Sequence, residues 1–306
     1  MPTDVTKAVA ANRIRGYKSG MTLPTELIQS VVRAALAEDV GAGDVTTEFA
    51  VPAELCAKAV ILAKEPCVIA GLPFAEAVFA ELDARVTVTP LVSEGAVAAE
   101  RQPVCNIAGP ARAILTGERT ALNFMQRLSG IATLTRAFVD AAAGTRTKIL
   151  DTRKTTPTLR RLEKYAVAVG GGTNHRMGLY DAVMIKDNHR AVLARLGPNA
   201  LASTVAAARR KDARLPVVIE ADSLLDVEAA LAAGADHILL DNMTAEEMRA
   251  AVKCVAGRAK TEASGGVRLA NVSEIAATGV DYISVGALTH SARSVDLSLE
   301  LVEEIL

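Results

Sequence analysis

A regular alternation of short apolar runs and amphipathic helical stretches fills the second half of this sequence and restricts its fold more than any other feature. Its predicted strands are Thr147–Leu150, Ala182–Ile185, Val217–Ile219, His237–Leu240, Thr261–Ala263 and Tyr282–Ser284. The later units follow one another at intervals of roughly 20 residues, about the length of one strand and one helix. This alternation predicts a parallel sheet, and a long series of such units predicts an α/β barrel.

Polar or glycine residues follow every one of these predicted strands. They are Asp151-Thr152-Arg153, Lys186, Glu220, Asp241, Ser264-Gly265-Gly266 and Ser284-Val285-Gly286. The carboxyl ends of parallel strands meet at one rim of a barrel, where the catalytic residues of such folds lie. A cap or a turn would explain any single residue, but a common rim explains the whole set better.

Five of the cationic or readily protonated side chains between positions 150 and 188 follow strand-like or glycine-rich pieces, and three glycines stand directly before this segment's Thr-Asn-His-Arg. The side chains are Arg153, Lys154, His175, Arg176 and Lys186. They follow strand-like or glycine-rich pieces, where backbone and side-chain donors converge on an anion. Arginine binds carboxylates and phosphates through two parallel hydrogen bonds, so the segment predicts a pocket for a polyanionic small molecule.

The last two strand-to-loop turns predict a phosphate site. They are Ser264-Gly265-Gly266 and Ser284-Val285-Gly286. In barrels the loops after the last two strands often bind phosphate through backbone N–H groups, because glycine lets the backbone approach closely. Two such turns at adjacent strand ends make a stronger indication than either turn alone.

Two acids, Glu220 and Asp241, are predicted to share the rim with these cations. A site that binds only anions would not hold two carboxylates without cost. They are useful if the ligand carries hydroxyls, develops positive charge or brings Mg²⁺. A ribosyl pyrophosphate with Mg²⁺ meets these conditions, because loss of pyrophosphate from ribose C1 passes through an oxocarbenium-like state. The residues predict phosphoribosyl transfer to an acidic acceptor and leave the acceptor open.

The first half of the chain mixes strands and helices without this rhythm, which predicts a separate domain. We expect an arm over residues 1–24, a domain over 25–128, a barrel over 129–287, and a terminal segment, 288–306, that packs back on the first domain. Two helices, Ala113–Leu128 and Ile131–Ala143, are predicted around the boundary. Arg119 lies on the first of them, and composition alone favours an ordinary surface residue.

Bulk composition excludes several classes of partner. The 306 residues carry a net charge of −1, and aromatic residues make up 3% with no Trp, which argues against nucleic-acid binding. The four Cys form no Cys-x-x-Cys pair, so reduced thiols in a cytoplasmic protein are favoured over zinc or disulfides. No apolar run approaches the ~20 residues of a membrane helix, so no membrane span is expected.

Several long motifs resemble quinolinate phosphoribosyltransferase, the decarboxylating enzyme that makes nicotinate mononucleotide for NAD synthesis. They include Asp151-Thr152-Arg153-Lys154-Thr155-Thr156-Pro157, Asn174-His175-Arg176, Ile185-Lys186-Asp187-Asn188-His189, Glu118-Arg119-Thr120 and Leu239-Leu240-Asp241-Asn242-Met243. The similarity covers nearly the whole chain beyond the arm. It implies an N-terminal α/β sandwich and an open seven-stranded α/β barrel, the type II phosphoribosyltransferase fold, paired head to tail as a homodimer. Whether the dimers assemble further stays open.

The resemblance also implies a role for each matched residue. The quinolinate carboxylates would be bound by Arg153, His175, Arg176 and Lys186. Arg119 would reach the active site of the neighbouring subunit, which replaces the surface role given above. Phosphoribosyl pyrophosphate (PRPP) and its Mg²⁺ would be held by Thr152, Lys154, Glu220, Asp241 and the turns at 264–266 and 284–286. The predicted catalytic residues are Lys154, Glu220 and Asp241, and the Mg²⁺ is expected near the two acids.

Two other functions stay open at this point. A paralogous pyrophosphorylase of the same fold would use another acidic acceptor, although the cations suited to two carboxylates disfavour it. A non-enzymatic anion-binding barrel would not need Glu220 and Asp241 beside the phosphate turns. Four positions depart from the family pattern: Val218 stands where an acid is frequent, Arg190 where an aliphatic residue is usual, Thr158 where glycine is common, and Gly266 where some members have Asn.

Overall fold

The structure is a computed structural model, and it describes residues 22–302. Most of the predicted arm and the last four residues of the predicted terminal segment lie outside the described residues. Two compact units divide the described chain. We call residues 137–155 and 172–286 the parallel unit, and residues 22–136, 156–171 and 287–302 the antiparallel unit, after their main sheets.

The strands of the described chain follow the predicted order closely. They are β1 (Cys56–Ala63), β2 (Cys67–Val68), β3 (Thr87–Pro90), β4 (Val97–Ala98), β5 (Pro103–Pro110), β6 (Lys148–Leu150), β7 (Val183–Ile185), β8 (Val217–Ala221), β9 (His237–Asp241), β10 (Lys260–Ser264), β11 (Tyr282–Ser284) and β12 (Leu297–Leu301). All six strands predicted for the second half are confirmed, and their boundaries shift by at most a few residues.

The helices of the described chain lie between these strands. They are α1 (Thr25–Asp39), α2 (Val45–Ala50), α3 (Leu72–Leu82), α4 (Ala111–Ala141), α5 (Arg160–Val169), α6 (Asp187–Ala194), α7 (Ala200–Lys211), α8 (Leu224–Ala233), α9 (Ala245–Val255), α10 (Val272–Ala276) and α11 (Ala287–His290). Among them, none combines the length and apolar character that a bilayer-spanning segment requires.

The antiparallel unit is organised around a four-stranded sheet in the order β12-β1-β5-β3. Alternate residues of β1, from Ala57 to Ala63, are buried, which is the period-two pattern of a sheet with one face on a core. The segment predicted to pack back on this domain contains β12, which pairs with β1 from Leu297 to Leu301. The first and last parts of the unit are therefore joined by backbone hydrogen bonds.

One long helix, α4, replaces the two helices that we predicted on either side of residues 129 and 130. Ser129 and Gly130 were read as a break, but both are used for close packing. The Ser129 hydroxyl bonds the backbone N and O of Ala70 at 2.9 and 3.0 Å. A Cβ on Gly130 would lie 1.9 Å from the Arg293 carbonyl oxygen, so only glycine fits. The predicted domain boundary at 128 and 129 lies inside this helix, whereas the compact units divide it at Arg136.

The parallel unit contains a six-stranded, fully parallel sheet in the order β6-β11-β10-β9-β8-β7. All five residues of β8 are buried, and so are the first four of β9. Strands buried on both faces are typical of sheets covered by crossover helices. Because the strands are parallel, their carboxyl ends lie at the same edge of the sheet, and this edge is the predicted rim.

The seventh strand implied by the resemblance is reduced to a single bridge. Thr173 N donates to Ile149 O at 2.8 Å, and Asp151 N donates to Thr173 O at 3.2 Å, so Thr173 pairs in parallel with Leu150 beside β6. The ladder ends there because the next amide turns to a side chain: His175 N donates to Asp151 Oδ1 at 2.8 Å. Within the described chain the sheet therefore consists of six strands and one bridge.

Candidate active site

The rim of the parallel unit brings three acids together. Glu220 lies near the end of β8 and Asp241 at the end of β9, and Asp222 follows two residues after Glu220. One carboxylate oxygen from each lies within 4.8 Å of the others. Glu220 is buried, Asp241 is half-buried and Asp222 is exposed. The predicted pair of acids is thus observed, and Asp222 is a third member that the sequence analysis did not assign.

The side chain and the carbonyl group of Glu220 are both bound by the segment that follows β7. Its Oε2 lies 3.0 Å from Lys186 Nζ, and its Oε1 accepts from Asp187 N at 3.0 Å. The Glu220 carbonyl accepts from Arg190 Nη1 at 3.0 Å, and Arg190 also pairs with Asp226. The arginine that departs from the family pattern therefore fixes the backbone of this acid from the first helix after the strand.

Asp241 is less well compensated than Glu220. Its carboxylate accepts from Asn242 Nδ2 at 2.7 Å. Partial burial, together with the nearby negative charge of Glu220, raises the pKa of Asp241 above its ordinary value in spite of Ser264 and Lys186. An acid held in this state would be stabilised by a cation or by a ligand that develops positive charge.

The turn after β10 is shaped by glycine. A Cβ on Gly265, whose φ is +88°, would lie 2.1 Å from Asn242 Oδ1, whereas a Cβ on Gly266 would meet no atom within 4 Å. Asn242 N donates to Ser264 O at 2.9 Å and ties the turn to the end of β9. The predicted Ser264-Gly265-Gly266 turn thus stands directly beside Asp241, with open space next to its last glycine.

The turn after β11 is bonded to the neighbouring strands of the sheet. Ser284 is buried, and its Oγ lies 3.4 Å from Ala263 O. Val285 N donates to Leu150 O at 2.9 Å, so this amide serves the sheet. Gly286, the next residue, is half-buried.

The cationic residues lie in two segments of the chain, one directly after β6 and the other around β7. Thr152, Arg153 and Lys154 follow β6 in a turn in which Lys154 N donates to Thr152 Oγ1 at 3.0 Å. Arg153 is half-buried and Lys154 is exposed, while Arg176 is buried. Arg176 Nη1 donates to Ala182 O at 3.4 Å, just before β7. All of these residues belong to the parallel unit, together with Lys186.

The Asn174-His175-Arg176 segment is held by two carboxylates that have no exposed surface. Asp151 accepts from Asn174 Nδ2 at 2.6 Å and from His175 N at 2.8 Å. His175 Nε2 lies 3.4 Å from Oε2 of the second carboxylate, Glu262, which stands in the middle of β10. The His175 ring, predicted to bind substrate, is therefore buried against the sheet.

Glu262 also contacts a second imidazole, that of His237 on β9, whose Nε2 lies 3.0 Å from the same oxygen. Burial alone would raise the pKa of Glu262, but the two imidazoles outweigh it and hold this pKa below its ordinary value. Neither residue was among those predicted from the sequence. The available indication was a histidine at the start of the apolar run of β9 and a carboxylate at the centre of the next predicted strand.

Arg119 lies in the antiparallel unit, whereas the other predicted site residues belong to the parallel unit. It stands on α4 between the half-buried Glu118 and the buried Thr120, and it is exposed. Thr120 Oγ1 donates to Asp39 Oδ2 at 3.1 Å, so the last residue of α1 contacts the same helix. Thr158, in the same unit, adopts a φ of 69°, a left-handed conformation in which glycine would be less strained.

Comparisons with known proteins cover almost all of this chain. A family model described as "Quinolinate phosphoribosyl transferase, C-terminal domain" matches residues 131–300, and its N-terminal counterpart matches residues 44–129. A nicotinate-nucleotide pyrophosphorylase (carboxylating) of Mycobacterium leprae is 44% identical over 279 residues, which are 89% of this chain and 96% of that protein. A chloroplastic relative with the same name from Oryza sativa subsp. japonica is 40% identical over 298 residues, 92% of this chain and 80% of that protein.

A solved structure extends this similarity to three dimensions. The nicotinate-nucleotide pyrophosphorylase from Francisella tularensis superimposes with a TM-score of 0.88 at 37% identity, covering 94% of this chain and 100% of that chain.

Proposed function

This chain belongs to the quinolinate phosphoribosyltransferase family, and we propose that it transfers phosphoribosyl from PRPP to quinolinate with loss of CO₂. The products are nicotinate mononucleotide and pyrophosphate, on the route to NAD. The predicted family and fold class are confirmed by the matches. The observation that carries the proposal is the rim where Lys186 pairs with Glu220 beside Asp241, because it offers both charges that this reaction needs.

Quinolinate presents two adjacent carboxylates, and the proposed partners are Arg153, His175, Arg176 and Lys186. A dianion leaves water only if donors of matching charge replace its hydration. Arg176 is already buried and fixed near β7, so its guanidinium loses little freedom on binding. Lys186 is exposed and held by Glu220, so it can exchange that contact for the substrate.

PRPP is proposed to lie against the rim acids, Thr152, Lys154 and the turns at 264–266 and 284–286. Open space beside Gly266 and the exposure of Lys154 support this placement. The three acids fit a Mg²⁺ ion carried by PRPP, because their oxygens lie within 4.8 Å of one another and carboxylate oxygens are its usual ligands. The raised pKa of Asp241 also indicates a negative cluster that a divalent cation would relieve.

The chemistry then needs charge stabilisation more than a covalent nucleophile. The ring nitrogen of quinolinate displaces pyrophosphate from ribose C1, and Glu220 and Asp241 stabilise the positive charge that develops there. The resulting pyridinium stabilises the electron pair left on the ring carbon when the adjacent carboxylate departs as CO₂, and a proton replaces it. Burial raises the pKa of the Cys67 thiol to about 11 and that of Cys105 to about 12, so neither offers a thiolate at neutral pH.

The wider setting of the enzyme is proposed on three further observations. Arg119 is exposed on α4, as required if it completes the site of a neighbouring subunit in a homodimer. The four cysteines are free thiols, which supports a cytoplasmic protein. The net charge of −1 supports small-molecule substrates over nucleic acid.

The decisive assay incubates the full chain with quinolinate, PRPP and Mg²⁺ and follows CO₂ and nicotinate mononucleotide. Nicotinic acid in place of quinolinate should give no turnover. Its single carboxylate would leave one of the two carboxylate subsites empty, and the cations of that subsite would lack the negative charge that quinolinate brings. Turnover with another acidic acceptor but not with quinolinate would favour the paralogous pyrophosphorylase, and no turnover with any acceptor would favour an anion-binding barrel.

Arg153→Ala tests the carboxylate site directly. It should lower kcat/KM for quinolinate by about 100-fold, the loss expected when a charged hydrogen-bond pair is removed. Arg214→Ala is the matched control, since this exposed arginine of the same unit pairs only locally with Asp212 at 3.0 Å. Near-normal turnover in Arg153→Ala would remove the centre of the assignment.

Arg119 is tested by mixing two inactive variants. Arg119→Ala and Arg153→Ala should each be nearly inactive alone. If Arg119 serves the neighbouring subunit, a mixed dimer contains one site with both arginines intact, so activity should return after the two variants are mixed and allowed to exchange subunits. Failure to regain activity in a mixture shown to contain hybrid dimers would place Arg119 in its own subunit's site or outside any site.

A further inference from the structure

A buried ionic cluster lies directly behind the segment that carries His175 and Arg176. Glu262, with no exposed surface, faces His175 on one side and His237 on the other, at 3.4 and 3.0 Å. The His237 ring in turn packs on the Tyr282 ring, with centroids 5.4 Å apart. None of the proposed chemical steps uses Glu262, and an apolar residue would fill this place in a sheet at a lower cost.

The His175 ring is fixed at both nitrogens. Arg176 N donates to His175 Nδ1 at 2.6 Å, so Nδ1 carries the lone pair and the proton lies on Nε2. Nε2 is the atom that faces Glu262 Oε2. In this tautomer the His175 imidazole connects the buried Glu262 carboxylate to the backbone amide of Arg176, which is proposed to bind the substrate.

The cluster must also balance its charge. The contacts of Glu262 are ion-pair contacts without hydrogen-bond angles at either oxygen, so an uncompensated carboxylate there would be strongly destabilised. His237, the closer of the two imidazoles, faces the same carboxylate oxygen at 3.0 Å and is the second group placed to compensate it. Asp151 completes the arrangement by holding His175 N and the Asn174 side chain.

We propose that Glu262 is a positioning residue for the diacid site: held between His175 and His237, it keeps His175 in the tautomer that accepts the Arg176 amide and thereby sets the Arg176 guanidinium. This inference rests on the proposed function for the identity of the ligand. It changes the role of His175 from a direct partner of a quinolinate carboxylate, as proposed above, to a support for Arg176. Groups that orient a binding residue change affinity without touching the ligand.

Glu262→Gln keeps the shape and removes the charge. Its dissociation constant for quinolinate, measured by calorimetry, should rise about tenfold, while the KM for PRPP stays unchanged. Asp281→Asn is the matched control, because this carboxylate bonds Lys260 and Thr261 at the start of the same strand, at 2.9 and 3.0 Å. It should leave quinolinate affinity within twofold of wild type. An unchanged quinolinate affinity in Glu262→Gln would overturn the proposal.

A double-mutant cycle separates positioning from general damage to the fold. If Glu262 acts through His175, Glu262→Gln should weaken quinolinate binding little further in a His175→Ala background. Independent, multiplying losses in the double variant would contradict the proposal.

A spectroscopic readout covers the case in which Glu262→Gln does not fold, and it does not depend on the substrate. Nitrogen NMR of the imidazole rings in the wild type, assigned with His175→Asn, should show His175 as the Nε2–H tautomer. A proton on Nδ1 would overturn the inference. If the wild type fails to bind quinolinate but shows the expected tautomer, the proposed function fails while the assignment of this cluster holds.

Discussion

Glu262 and Asp241 lie on neighbouring parallel strands, yet the protein treats these two carboxylates in opposite ways. Glu262 is fully buried between two imidazoles, and its pKa lies below the ordinary value. Asp241 is only half-buried, faces Glu220 and Asp222, and has a pKa above the ordinary value. The more buried acid is the better compensated one, which is the reverse of what burial alone would produce.

The contrast separates a structural charge from a functional one. Inside the sheet every charge needs a partner in the folded state, because no ligand or water reaches it. At the rim, acids are left close together, a cost that the fold tolerates where a cation or a developing positive charge will arrive. We therefore expect substitutions at the rim to lower turnover without lowering the free energy of unfolding. Substitutions in the sheet should lower the free energy of unfolding before they lower turnover.

The largest expected effect is on turnover at the rim. Asp241→Asn should lower kcat by about 100-fold or more, because it removes a charge aimed at the ribose cation in the transition state. Asp222→Asn is the informative comparison, since this third acid is exposed and its loss should cost much less. Steady-state assays at saturating quinolinate and PRPP measure both. Equal losses in the two variants would show that the cluster acts only through its total charge.

The second effect is on stability, which should depend on the acid in the sheet and not on the acid at the rim. Glu262→Gln should lower the free energy of unfolding at neutral pH by about 3 kcal/mol, because it removes the buried charge that both imidazoles face. Asp241→Asn should not lower it at all. Urea unfolding of the wild type and both variants at one pH gives the comparison. A greater loss of stability in Asp241→Asn than in Glu262→Gln would break the distinction between the two regions.

The third effect concerns the turn that supports Asp241. Gly265→Ala should cost about 1–2 kcal/mol more in unfolding free energy than Gly266→Ala, because only the first Cβ collides with Asn242, the residue that bonds Asp241. Both glycines have positive φ, at +88° and +62°, so the backbone penalty is shared and the difference isolates the contact. Equal stabilities would mean that Asn242 can move without cost and does not hold the rim acid.

The sequence was sufficient to predict the rim but not the buried cluster. Strand positions follow from apolar runs of short period, and the rim follows from them because parallel strands end at the same edge. The role of Glu262 depends on which strand lies beside β10 and on where the chain returns at His175. Both are contacts between residues that lie far apart in the sequence. The same holds for Gly130, which was read as a helix break because its close contact, Arg293, lies far along the chain.

The smallest predicted effect is on the pH dependence of stability. A raised pKa for Asp241 means that the folded protein holds this proton more tightly than the unfolded chain. Its contribution is complete below the unfolded pKa and is lost as pH rises through the folded pKa. Asp241→Asn should therefore gain stability relative to the wild type as pH rises through the range just above the ordinary Asp pKa, by less than about 1 kcal/mol because the group is partly exposed.

Glu262 should show the opposite sign in the same titration. Its pKa is lowered, so its contribution is fully present above the unfolded pKa and is lost only as pH falls through the folded pKa. The gap between the wild type and Glu262→Gln should stay constant over the window in which the Asp241→Asn gap changes, and it should close only in more strongly acidic solution. Urea unfolding at a series of pH values measures both gaps. A Glu262→Gln gap that closes already in mildly acidic solution would mean that the two imidazoles do not compensate this carboxylate, and the contrast between sheet and rim would be lost.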